Sequence, residues 1–142
     1  MMYVVLTAAV VVAVLVVWLV TLRRRLLVVT VHGVSMEPTY VAGDRLLVRR
    51  SRLERVRTGQ VVVVQGGPGG PGDPTAGRLV KRAVAVPGDP VPSQIPVPET
   101  VVPQGNLLVL GDNPARSNDS RRLGYIPADA LIGVVLRPIG QR

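Results

Sequence analysis

The chain has 142 residues, a net charge of +8, one histidine and no cysteine. That is room for one small domain, with no material for a disulfide framework, a thiol nucleophile or a Cys/His metal centre. The positive excess implies an anionic neighbour, but one Trp, three Tyr and no Phe leave few platforms for stacking bases, so membrane lipid fits better than nucleic acid.

Residues 1–22 carry no charge. As a helix they would reach roughly 33 Å, enough to cross a hydrocarbon layer of about 30 Å. No basic segment precedes the run, it is longer than the apolar part of a leader peptide, and no small-x-small site stands before Arg23. These features predict a permanent single-pass anchor with its basic flank over 1–25, not a cleaved leader. Arg23, Arg24 and Arg25 would by the positive-inside rule hold the C-terminal side in the cytoplasm, although long domains cross largely regardless of charge.

The runs LLVVTVHGV, RLLVRR, QVVVVQ, RLVKRAVAV, NLLVLGD and LIGVVL come next, in that order. They are short, β-branched and bounded by Gly, Pro and Asp, which predicts strands and a small all-β domain over 26–142. Gly-Asp recurs at 43, 72, 88 and 111, where strand edges favour a residue of positive φ. The stretch 66–77, GGPGGPGDPTAG, predicts a flexible surface loop without a regular ladder. It lacks the Gly-Lys-Ser/Thr of a phosphate loop. The proline-rich stretch 90–105 predicts an extended surface connection.

Two residues stand out chemically. Ser35 lies in VHGVSMEPTYVAGD between two turn signals, and Lys81 is the one lysine beside sixteen arginines. Arginine keeps its proton in proteins, whereas a buried lysine can lose it, so a site that needs a basic amine can use lysine alone. His32, three residues before Ser35, is the rival base. With one His, no Cys and isolated carboxylates, neither a metal nor another cofactor is indicated.

Ser35 and Lys81 fall within three ordered motifs: Gly-x-Ser-Met-x-Pro-Thr at 33–39, Val-Lys-Arg with Pro-Gly-Asp at 80–89, and Gly-Asp-Asn, Ser-x-Asp-Ser-Arg and Gly-Tyr-Ile-Pro at 111–127. Behind an apolar anchor, this set resembles the type I signal peptidase (leader peptidase) family of membrane serine proteases, over nearly the whole of 26–142. The resemblance implies a mainly β, signal-peptidase-like domain after one transmembrane helix, in a short form lacking the extra β-subdomain. It implies Ser35 as nucleophile with its backbone N–H in the oxyanion hole, and Lys81 as general base. It also implies that Ser117 hydrogen-bonds the lysine amine, and that Asp119 and Arg121 brace the Ser117 loop. Gly33, Met36, Pro38 and Asp112 would shape turn and motif. Preprotein signal peptides would be the substrates, cut after small residues, with the catalytic domain on the extracytoplasmic face of the cell membrane.

Two positions depart from the pattern. Gly33 stands where some members carry a hydroxyl for the oxyanion, and Pro114 where arginine is usual. Rival readings are a Ser/Lys maturation peptidase dedicated to one substrate and a catalytically idle, membrane-anchored basic module. A self-cleaving repressor would carry a DNA-binding domain in place of the anchor.

Overall fold

The structure, a computed structural model, describes residues 1–67, 70–71 and 77–140. One helix, α1 (Met2–Arg25), precedes a β region, the mainly β class expected. The helix is long and apolar enough to cross a membrane, and none of its residues is buried against the protein. Nothing in its sequence gives it a wet face and a dry face, which suits a segment surrounded on all sides by hydrocarbon.

The strands are β1 (Leu26–Thr30), β2 (Arg45–Arg50), β3 (Val61–Gly67), β4 (Gly70–Pro71), β5 (Arg78–Ala85), β6 (Asn106–Leu110), β7 (Ile126–Pro127) and β8 (Leu131–Ile139). Seven of them hydrogen-bond antiparallel in the order β1-β2-β8-β3-β5-β6-β7, and β4 adds to β3. The strand nearest the C-terminus thus inserts between β2 and β3. Register shifts at Leu47/Val48, Val63/Val64 and Ala83/Ala85 curl the sheet, as bulges raise local twist.

Curling explains the unbroken valines of β3. Val62 and Val64 pack into one apolar cluster with Ala83, Leu107 and Val109. Val61 and Val63 pack into a second with Val29, Val31, Met36 and Val80. A strand buried on both faces needs no polar alternation.

Two expectations change. At the start of 66–77, Gly66 and Gly67 pair with Pro71 and Gly70, so a short ladder forms after all; 68–69 and 72–76, Gly72 among them, lie outside the described residues. The stretch 90–105 does not run extended. Val91 N–H donates to the Thr100 carbonyl at 2.9 Å and Gly88 N–H to that of Val102 at 3.0 Å. The excursion folds back because Ile95 and Val102 bury themselves in a third cluster with Ala85 and Leu108, and that apolar gain outweighs the proline bias.

Candidate active site

Between β1 and β2 the chain makes a long turn whose neck is closed by Val31 N–H to the Asp44 carbonyl at 2.8 Å and Gly43 N–H to the Val31 carbonyl at 2.9 Å. Gly33 enters it at φ +78°. A side chain there would be strained although space is open around it, so a hydroxyl at this position carries a backbone cost. Met36, 1% exposed, ties the turn into the second cluster. Ser35, just before that anchor, stays half-buried.

Lys81 stands opposite Val62 in register. Leu79 and Ala83, two residues to either side, pack into the first cluster, so its stem shares an apolar face. It is 3% exposed, and its amine donates to Ser35 Oγ at 2.7 Å. Burial is the largest influence on the amine and lowers its pKa from the ordinary 10.5; the Asp119 charge raises it and Arg121 lowers it.

The segment after β6 straps the two residues together. Gly111 lies so close that a Cβ would come within 2.2 Å of Ser117 Oγ and 2.6 Å of the Ser35 carbonyl. Its φ is not positive, unlike those of Gly43 and Gly88. Close packing, not the expected turn geometry, selects glycine here. Asp112 takes two bonds from Arg82, Nε at 2.8 Å and Nη2 at 2.6 Å, and a third from the Thr39 hydroxyl at 2.6 Å. It thereby joins the serine turn to the residue after Lys81. Asn113 donates its backbone N–H to the Ser35 carbonyl at 2.9 Å and its side-chain amide to the Val34 carbonyl at 3.1 Å.

Asp119 is fully buried. It accepts from Gly111 N–H at 2.9 Å and from Arg121 Nε and Nη2 at 2.9 and 2.8 Å. Burial, the largest single influence, pushes its carboxyl up, but the bonds from Arg121 and Gly111 outweigh it and hold the pKa at about 2. Arg121 Nη2 also reaches the Pro114 carbonyl at 3.1 Å, so the proline at the unusual position supplies an acceptor. Ser120 accepts from Val109 N–H at 2.9 Å and is structural.

The structure therefore brings Ser35, Lys81, Asp112, Ser117, Asp119 and Arg121 to one place, on a turn shaped by Gly33, Met36 and Pro38. One expected contact is missing. Ser117 Oγ is buried, yet among the described residues it has no hydrogen-bond partner, Lys81 included. It lies near the Asp119 carboxylate, while the lysine amine is directed to Ser35. His32 is exposed. Arg82, Thr39 and Asn113, not singled out from the sequence, bond within this cluster and all sit inside the three motifs. A cavity of about 360 Å³ beside the turn is lined by Thr39, Tyr40 and Asp44 but not by Ser35 or Lys81, and is not this site. Among the described residues no three His, Asp or Glu side chains gather to hold a metal.

The family described as "Signal peptidase, peptidase S26" matches residues 1–97 and 92–139. A probable signal peptidase I-1 of Synechocystis sp. is 30% identical over 133 residues, covering 72% of this chain and 65% of the relative. Mitochondrial inner membrane protease subunit 1 of Mus musculus is 32% identical over 114 residues, covering 75% of this chain and 64% of the relative. Signal peptidase I V of Bacillus subtilis is 26% identical over 142 residues, covering 74% and 80%. The chain thus spans a little under two thirds of the length of the first two relatives. On the match to nearly all of its residues, the chain belongs to the signal peptidase S26 family.

Proposed function

We propose that this protein is a membrane-anchored serine endopeptidase that removes signal peptides from exported preproteins after small residues, with Ser35 as nucleophile and Lys81 as general base. The reading rests on a buried lysine amine 2.7 Å from a serine hydroxyl. Burial favours the neutral amine. In that form the contact reverses, and the hydroxyl donates to the nitrogen lone pair.

Ser35 Oγ attacks the scissile carbonyl carbon while Lys81 takes its proton, giving a tetrahedral oxyanion. Collapse breaks the C–N bond, and Lys81 hands the proton to the leaving amine. Water, deprotonated by the same amine, then attacks the ester, and the proton returns to Ser35. Among the described residues the Ser35 N–H donates to no other group and is free to meet the oxyanion, a contact worth about 3 kcal/mol in such sites. Asn113 and Asp112 position the turn, and Asp119 with Arg121 positions the strap. The edge of β1 away from β2 carries no strand among the described residues, so an extended substrate can add there by main-chain bonds.

In this reading α1 spans the cell membrane once, the catalytic part occupies 26–142 on the extracytoplasmic side, and neither metal nor nucleic acid takes part. A Ser/Lys maturation peptidase dedicated to a single substrate is the second reading. Purified full chain in detergent, offered a preprotein with a small-x-small site, should release mature protein cut after the small residue. Ser35→Ala should abolish cleavage at unchanged thermal stability. Activity in that variant would refute the assignment, and cleavage confined to one preprotein would favour the second reading.

A further inference from the structure

We propose that an arginine cleft at the foot of α1 holds the phosphate of an anionic phospholipid headgroup. The inference rests on the reading of α1 as a membrane anchor and not on the peptidase chemistry.

The cleft measures about 690 Å³ and is walled by Arg25, Arg49, Arg50, Arg52 and Arg55, with Ser51 and Ile132 between them. All five arginines are exposed, and none enters a salt bridge among the described residues. Glu54 is the one acid in the run 49–55, and it does not line the wall. Five like charges around one opening repel each other until an anion enters. The guanidinium fork matches phosphate oxygens two at a time.

Position argues for lipid. Arg25 ends α1, and Leu26, the next residue, pairs with Arg49. The cleft therefore lies one residue from the end of the helix, at the level where headgroups sit. Arg25 also lines a second cavity of about 160 Å³ with Trp18, Thr21 and Leu22 on the helix. A phosphate in the first and an acyl chain along the second would share Arg25, and a Trp at that height is typical of the membrane interface. No aromatic side chain lines the large cleft to stack a base. On this account Arg25 serves lipid binding and does not require the cytoplasmic side.

The test is native mass spectrometry of the full chain in neutral detergent with equimolar dioleoylphosphatidylglycerol and dioleoylphosphatidylcholine. The wild type should retain the anionic lipid preferentially. Each cleft arginine should contribute about fivefold, so R50Q/R52Q/R55Q should cut the preference at least tenfold. The charge-matched R57Q/R78Q/R137Q, exposed and outside the cleft, should keep it. Equal losses in both triple variants would mean that net charge alone acts, and would overturn the proposal. So would displacement of the lipid by inorganic phosphate at equal concentration, or by an oligouridine whose own binding is lost in the cleft variant. Alkaline carbonate washing of membranes reads the anchor separately, so failure of the anchor and failure of the cleft can be told apart.

Discussion

Asp119 shows how one buried residue ties stability to pH. Its carboxylate is buried, yet four donors from Gly111 and Arg121 keep it ionised. Its folded pKa of about 2 lies below the ordinary 3.8. A depressed carboxyl contributes stability above the unfolded value, and that stability is lost as pH falls through the folded one. The contribution is about 2 kcal/mol above roughly pH 4, lost between about pH 4 and 2. Asp119→Asn should therefore lower the thermal midpoint at neutral pH and flatten its fall across that window. Unchanged acid sensitivity in the variant would mean that the carboxylate is not what titrates. Asp112, held below the usual range chiefly by Arg82, leaves part of the acid limb in place.

At the scale of elements, the strap from Gly111 to Arg121 holds the site in register. Gly111→Ala should push Ser117 or Ser35 aside, because its Cβ would come within 2.2 Å of one and 2.6 Å of the other. Overpacking of this kind costs about 1–3 kcal/mol, and misplacing a nucleophile by an ångström costs on the order of a hundredfold in rate. Measured kcat/KM and thermal midpoint should fall together; a fully active, fully stable variant would contradict the packing described. The strands themselves were legible as apolar runs between Gly, Pro and Asp, and RLLVRR matches β2 residue for residue. The fold-back of 90–105 was not, since its two buried apolar residues show no period among prolines. Nor was the reason for Gly111, because a close approach between segments leaves no mark in local sequence.

For the whole molecule, the order of strands was beyond local pattern: β8 enters between β2 and β3 from the far end of the chain. The clamp Thr39–Asp112–Arg82 and the bond from Asn113 to Val34 join residues 73, 30 and 79 positions apart. Only the fold brings these together, whereas the unusual chemistry of a single lysine among arginines could be read directly. The central claim is that Lys81 acts as a neutral amine on Ser35. Burial lowers its pKa, so kcat/KM of the wild type should rise with pH as the amine of the free enzyme loses its proton, levelling off below the ordinary lysine range. Because the folded state disfavours the charged amine, it is destabilised where the unfolded lysine is still protonated, and the penalty fades as pH approaches 10.5. The most direct measurement is kcat/KM against pH for the wild type beside Lys81→Arg and Lys81→Ala on the same preprotein. Lys81→Arg should be as inactive as Lys81→Ala at every pH, since a guanidinium keeps its proton. An active arginine variant would show that charge and not basicity matters at this position, and would return His32 as the base.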